Sequence, residues 1–485
     1  MLTNTQISIP PQPKAWSKNI AQIAQEFERT PLSLLSGHIP EGIRGTLYRN
    51  GPGRLERGGQ KVGHWFDGDG AILAVHFQEG QAQAVYRYVQ TQGYRAETKA
   101  NRFLYANYGM TDPQGIWHYW QAIFKRQDIL KNAANTSVLA LPDKLLALWE
   151  AGLPHALDLE TLETLGIENF GQFPADQPYS AHPLRDPITG DIFSIGVDMQ
   201  GRLHLYRSDR RGTLLKHQIL KLKNMPFLHS FCLAGPYLIF FMPPMKLDKL
   251  GVLLGTKSYA DAIQWQANAS TKILVVDRES FEIVSQGETE PWFQWHYGNG
   301  CVEADGNIRL DLVKFQDFSQ TNEYLREMAT GQTQTLSQGH LWQIRLNPLT
   351  SEILESQAVL TRSCEFPTID PRLVGQPWRQ TYVAVQRSGV ESAEEWFGAI
   401  AAVDYETGQV TEADLGEGLY PVEPLYIPDC IHPEQGWIMT VVYDGIKEQS
   451  EVWIWNSDRL EKEPVCRLGL PQIIPLSYHG TWRPL

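Results

Sequence analysis

Of the thirteen histidines in this chain, four stand out by their surroundings. His182 sits in PYSAHPLR, His229 in MPFLHSFCL, His296 in WFQWHYGNG and His479 in PLSYHGTWRP. Each follows several apolar or small residues and lies at the expected start of a strand. Imidazole suits iron(II), copper and zinc, so a histidine cluster points to one of these metals without choosing among them. Taken singly, each is as readily a core or loop histidine bonded to backbone. The spacing is no metal motif, since 47, 67 and 183 residues separate the four. Only a closed ring brings residues that far apart to one point. Cysteine offers no competing site. Cys232, Cys301, Cys364, Cys430 and Cys466 are odd in number, widely spaced and without a CxxC. That argues against a disulfide framework and a zinc-thiolate site, and for a reducing compartment.

The elements that must position these histidines are short strands. Ala71–Phe77, Lys144–Trp149, Lys272–Asp277, Asn307–Val313, Trp396–Asp404 and Trp437–Tyr443 read as strands between turns. The helical candidates are Ala15–Glu28, Gly115–Leu130 and a segment near Ser258–Ala267. One turn pattern recurs: an apolar strand ends in Asp or Asn, a few polar residues follow, and another strand begins. It occurs at Asp158, Asp209, Asp277, Asn347, Asp404 and Asn456, with spacings of 51, 68, 70, 57 and 52 residues. Asp and Asn suit turn starts because their side chains bond to backbone two residues on. This period suits a four-stranded blade, and six such turns plus a less regular pair near Phe77–Thr91 predict an all-β, seven-bladed propeller. Generic hairpins of another β fold are the alternative reading of the spacing.

Composition narrows the partners. The net charge is −13, and there is no basic run with interleaved aromatics, so nucleic acid is not expected. Fifteen Trp, 19 Tyr and 18 Phe suit either packed blades or an apolar ligand tunnel. Met1 to Lys18 is polar and proline-bearing, unlike a signal peptide, and the most apolar stretch, Pro236 to Met245, is too short to span a bilayer. The expectation is a cytoplasmic protein that lies on a membrane or stays in solution.

Longer motifs carry a resemblance. GTLYRNGPG (Gly45–Gly53), HWFDGDGAI (His64–Ile72), KNAANTSV (Lys131–Val138), LLALWEAGLPHALD (Leu145–Asp158), CEFPTIDP (Cys364–Pro371) and YHGTW (Tyr478–Trp482) together resemble the carotenoid cleavage oxygenase family, most of all its cyanobacterial apocarotenoid-cleaving branch. The resemblance spans essentially the whole chain. It implies one propeller domain over residues 1–485, with cap elements that include about 115–130 and 236–267. It implies Fe(2+) bound by His182, His229, His296 and His479, with dioxygen as co-substrate. It also implies outer glutamates, Glu150 beside His229, Glu365 beside His296 and Glu423 beside His479. Taken alone, each of these is as readily a surface or salt-bridging carboxylate. Four neutral imidazoles leave the full 2+ charge on the metal, and octahedral iron then keeps two positions free. Outer carboxylates fix the ring tautomers without binding the metal, whereas zinc typically stops at three protein ligands and cannot change oxidation state.

The resemblance further places Thr136 beside the metal, where a methyl would crowd an open position; a plain strand threonine is the other reading. Phe66, Trp149 and Trp295 are candidate tunnel walls, and equally candidate blade core. Two places depart from the pattern: Trp295 stands where relatives commonly carry histidine, and Asn299-Gly300 where they carry Asn-Ala. The implied activity is cleavage of a conjugated double bond in a carotenoid or apocarotenoid, giving two carbonyl products. A stilbene or phenylpropenoid substrate, gripped through Tyr and Lys, is the second reading. A non-catalytic propeller binding module is the third, and retinoid isomerisation a remote fourth. A long, insoluble polyene must be drawn from a bilayer. In GIWHYWQAIFKRQDIL (Gly115–Leu130), Trp117, Trp120, Ile123 and Phe124, followed by Lys125 and Arg126, read as an interfacial patch with a cationic edge, with Pro236–Leu254 beside it. No obligate protein partner is expected.

Overall fold

The computed structural model describes residues 14–125, 128–171, 173–174, 177–222 and 226–485. The polar N-terminal stretch up to residue 13 and Arg126 of the cationic edge lie outside the described residues.

Seven antiparallel sheets form the seven blades of a β-propeller. Blades two to six each run in simple strand order from the inner strand outward, as in Leu184–Arg185, Ile192–Val197, Arg202–Ser208 and Leu214–Lys221 of blade three. The recurrent Asp/Asn turns join the third strand to the outer strand in blades two to seven. Their side chains do the expected work: Asp209 Oδ1 accepts the Arg211 and Thr213 amides at 2.8 Å each, and Asp277 Oδ1 accepts that of Ser280 at 2.7 Å. Blade one makes the same connection with a two-residue turn, Glu79-Gly80, both at positive φ (52° and 71°). That geometry suits a tight hairpin and needs no Asx side chain, which is why this turn reads as irregular.

The ring closes twice. Gly480–Pro484 is the inner strand of blade one, paired with Gly45–Arg54. Ser33–Gly37 adds to the outer edge of blade seven, paired with Cys466–Gly469. Closure matters because an open propeller would leave two unpaired sheet faces. The core is divided between neighbouring blades. Along Thr271–Asp277, Leu274 and Val276 face blade three, while Ile273 and Val275 face blade five. A strand buried on both faces reads as a continuous apolar run, as this one does.

Helices are few and shorter than expected. Ala15–Glu28 yields only Ser17–Ala21, because Phe27–Pro31 is taken up as the outer strand of blade one. Gly115–Leu130 yields Ile116–Lys125. Near Ser258–Ala267, one turn of helix (Tyr259–Ala262) gives way to a strand, Ile263–Trp265, paired with Met245–Leu247. Pro236–Leu254 is likewise split. Tyr237–Met242 is the second strand of blade four with a buried core, so it belongs to a blade and not to the cap. Only the part after it, with the helix Lys249–Leu253, lies outside the blade. The longest helix described, Phe318–Thr330, is not among the three helical segments read from sequence; Asp317 accepts the Ser319 amide at its start and Gly331 ends it at φ 77°.

These helices are tied to one another and to the loop at Tyr108. The Tyr119 hydroxyl donates to Val252 O at 2.9 Å, the Ala260 amide donates to Tyr108 O at 2.8 Å, and Arg326 pairs with Asp261 at 2.5 Å.

Candidate metal centre

Each of the four histidines reaches the propeller axis from an inner strand or the turn before it. His182 precedes Leu184–Arg185, with its amide on Ser180 Oγ at 3.2 Å. His229 precedes Cys232–Ala234. His296 lies within Phe293–Val302, where the pairing slips between Gln294 and Tyr297; such a bulge re-aims a side chain. His479 immediately precedes the closing strand, its carbonyl accepting the Asn50 amide at 2.8 Å. One ligand atom from each lies within 4.8 Å of all the others. The ring closes distances that sequence spacing leaves open.

Glutamates surround the cluster unevenly. Glu365 Oε2 lies 2.6 Å from His296 Nδ1, and Glu423 Oε1 lies 2.8 Å from His479 Nδ1. Glu150 Oε1 stands between two rings, 3.4 Å from His229 Nδ1 and 3.6 Å from His182 Nε2. Glu365 is placed by a second slipped register and by Phe366 at φ 58°, whose amide donates to the same carboxylate. Glu423 is fixed further by the Gly480 amide at 2.7 Å and by Arg49 Nη1 at 3.0 Å. Arg49 is buried and also donates to Ser477 Oγ and Tyr478 O. Sequence reading missed Arg49, although an arginine inside the apolar strand GTLYRNGPG asks for a buried partner.

These contacts set protonation. Burial and the three neighbouring imidazoles hold His182 well below the usual histidine range. Burial also lowers His479, against the pull of Glu423. Burial pushes Glu423 up, but His479, Arg49 and the Gly480 amide outweigh it, and its carboxyl ends below its ordinary value. Neutral rings facing inward are metal donors.

The donor set fits a divalent transition metal. With its Nδ1 hydrogen on Glu365, His296 presents a lone pair at Nε2, and His229 with Nδ1 toward Glu150 does the same. These two Nε2 atoms are 3.2 Å apart. Two facing lone pairs repel unless a cation or proton lies among them. His182 Nε2, buried and without a hydrogen-bond partner, opens on the same space.

Phe66 and Trp295 meet edge to face at 5.6 Å, and Trp295 meets the His229 ring at 4.9 Å. Trp295 is half-buried, as are Thr136 and Trp149. Trp149 ends Leu145–Trp149, one residue before Glu150. Thr136 lies between Asn135, which donates to Phe66 O and Gly68 O, and Ser137, whose hydroxyl donates to Ala181 O beside His182. The departure at Gly300 has a packing cause: an added Cβ there would lie 2.5 Å from Cys232 Sγ. It marks a tight contact between inner strands of blades four and five, not a pocket change.

Away from the cluster, Trp117 and Phe124 are 81% and 82% exposed, whereas Trp120 and Ile123 are half-buried. Leu250 and Leu253 add exposed apolar surface on the neighbouring helix. Among the described residues, no helix is long and apolar enough to cross a membrane.

Known proteins resemble this chain in sequence and fold. The apocarotenoid-15,15'-oxygenase of Synechocystis sp. is 31% identical over 99% of both chains. The resveratrol cleavage oxygenase 1 of Aspergillus fumigatus is 26% identical, over 92% of this chain and 91% of its own. The crystal structure of cobalt-substituted Synechocystis apocarotenoid oxygenase superposes with a TM-score of 0.86 at 29% identity, covering 97% of this chain and 98% of that one. The family model of the retinal pigment epithelial membrane protein matches residues 20–484. With four histidines converging on the axis of a seven-bladed propeller, and a match over nearly its whole length, this chain belongs to the retinal pigment epithelial membrane protein family, the carotenoid oxygenases.

Proposed function

We propose that this chain holds one iron(II) ion on His182, His229, His296 and His479, and uses dioxygen to cleave a conjugated carbon–carbon double bond of a carotenoid or apocarotenoid. The observation that carries this reading is the four imidazole ligand atoms within 4.8 Å of one another. In the overall change the double bond breaks and each of its carbons takes one oxygen atom. Two carbonyl products form and no outside reductant is consumed. Bound iron(II) supplies the oxygen activation, which no side chain here performs. The chain's own residues orient and exclude. Glu365 and Glu423 accept the Nδ1 hydrogens of His296 and His479, leaving Nε2 free on each ring. Glu150 serves His229 more loosely. Phe66, Thr136, Trp149 and Trp295 form the walls of a water-poor passage.

Apolar walls favour a polyene over a phenol. Lys131, in the KNAANTSV segment, is held by Asp69 and Glu97 at 2.5 and 2.7 Å, and so is not free to grip a phenol. The whole chain acts as one propeller, with its cap over the metal. The exposed face of Ile116–Lys125 and its neighbour Lys249–Leu253 rests on a membrane surface from the cytoplasmic side, where substrate enters.

Iron analysis with an oxygen electrode, using β-apocarotenals and resveratrol in parallel and mass spectrometry of the products, tests the chemistry. One iron per chain and paired aldehydes from the apocarotenal are expected; full turnover by a His229→Ala variant overturns the assignment. Because Trp120 is half-buried, the membrane test uses Trp117→Glu with Phe124→Glu. This pair is expected to abolish liposome co-sedimentation while iron content stays at the wild-type level, and undiminished co-sedimentation refutes the docking face.

A further inference from the structure

We propose that Thr321 latches Trp295 into a fixed wall beside His229, and that this wall selects among polyenes by the bulk near the bond to be cut. The inference rests on the double-bond-cleaving reading above and deepens it. Trp295 is tied at both ends. Its carbonyl accepts the Ser230 hydroxyl at 2.5 Å, next to His229 in the chain, and its indole N–H donates to Thr321 Oγ1 at 3.2 Å. The ring meets His229 edge to face at 4.9 Å and Phe66 at 5.6 Å. Phe293 and Phe318 pack on it and are themselves buried, yet Trp295 stays partly open in the middle of the propeller.

Thr321 also lines a partly open, largely polar cleft of about 460 Å³, with Trp292, Lys314, Gln320 and Trp342 among its walls, and Trp295 lies outside that lining. Thr321 comes from Phe318–Thr330, a helix held by Arg326 on Asp261 and by Asn322 on Ala260 O, so the acceptor itself is anchored. Thr321 touches no reacting atom in this scheme; it is a positioning residue for Trp295.

The test uses the Fe(II)-loaded protein under argon. Wild type, Thr321→Val, Thr321→Ser and Trp295→Phe are titrated with two aldehydes of equal conjugated length, one ending in a cyclohexenyl ring and one acyclic, followed by the polyene absorbance. Thr321→Val and Trp295→Phe are expected to change the ratio of the two Kd values by at least about threefold in the same direction. Thr321→Ser, which keeps the acceptor, is expected to retain the wild-type ratio. In parallel, the indole N–H resonance of Trp295, identified by its loss in Trp295→Phe, is expected to move in Thr321→Val and not in Thr321→Ser. An unchanged ratio in Thr321→Val, a shift in Thr321→Ser as large as that in Thr321→Val, or no binding of either aldehyde by wild type overturns the latch. Admitting air afterwards tests the other reading separately: bound aldehyde left uncut refutes the cleavage function while the Kd ratios still decide the wall.

Discussion

The two halves of the histidine cluster are built differently. On one side, Glu365 and Glu423 bond His296 and His479 at 2.6 and 2.8 Å, their side chains only 9% and 12% exposed. On the other, Glu150 is 33% exposed and stands 3.4 and 3.6 Å from two rings, within ion-pair range and outside a good hydrogen bond to either. One half is locked by short charge-assisted bonds that backbone amides and Arg49 reinforce. The other has one loosely held carboxylate, near His229 Nδ1 and beside His182 Nε2, the atom that faces the metal space. In the proposed metal site, one side is thus held more firmly than the other.

Mutations that strike the two sides unequally test this contrast. Removing a ligand on the firm side has the largest effect: His296→Ala is expected to lose bound iron and turnover together, read by metal analysis of the purified protein. Next is Glu423→Ala. It frees His479 and strands Arg49, a buried cation, so it is expected to lower metal affinity by about 10- to 100-fold and to cost about 3–5 kcal/mol in urea unfolding. Pairing it with Arg49→Met sharpens the point, because the double variant is expected to recover part of that stability while metal affinity stays low. The smallest effect belongs to Glu150→Ala. Its exposure and long contacts predict a stability change within about 1 kcal/mol and a loss of metal affinity near the lower end of the same range. Equal stability losses for Glu150→Ala and Glu423→Ala would erase the distinction between the halves.

Sequence reading reached the outline of this site and not its asymmetry. The Asx turns gave the blade period because each carries a local signal, an acid or amide accepting amides two to four residues on. Blade one hid its turn in Glu79-Gly80, where backbone conformation does that job. The cluster was legible only through context and resemblance, since ring closure leaves no trace in spacing. The unequal placement of the glutamates depends on bulges at His296 and Glu365, which are properties of strand pairing and not of local sequence. The helix Phe318–Thr330 did carry signals: an Asp cap, a closing glycine, and buried Phe318, Thr321, Asn322, Tyr324, Leu325 and Met328 at helical spacing. It stands between two strands of blade five, Ile308–Phe315 and Gly339–Leu346, where the blade period predicts a turn. Trp295 is a departure that the sequence shows, but its tie to Thr321 exists only once that helix packs against it.

The closing strand has a consequence in time. Three ligands, in blades three to five, leave the ribosome well before His479, and His479 emerges directly ahead of Gly480–Pro484, the strand that seals blade one. A nascent propeller therefore has at most three of its four imidazoles until the moment it can become a ring. If the proposed iron site is right, completing its coordination and closing the fold are a single late event, and iron captured on all four imidazoles would also report a closed ring.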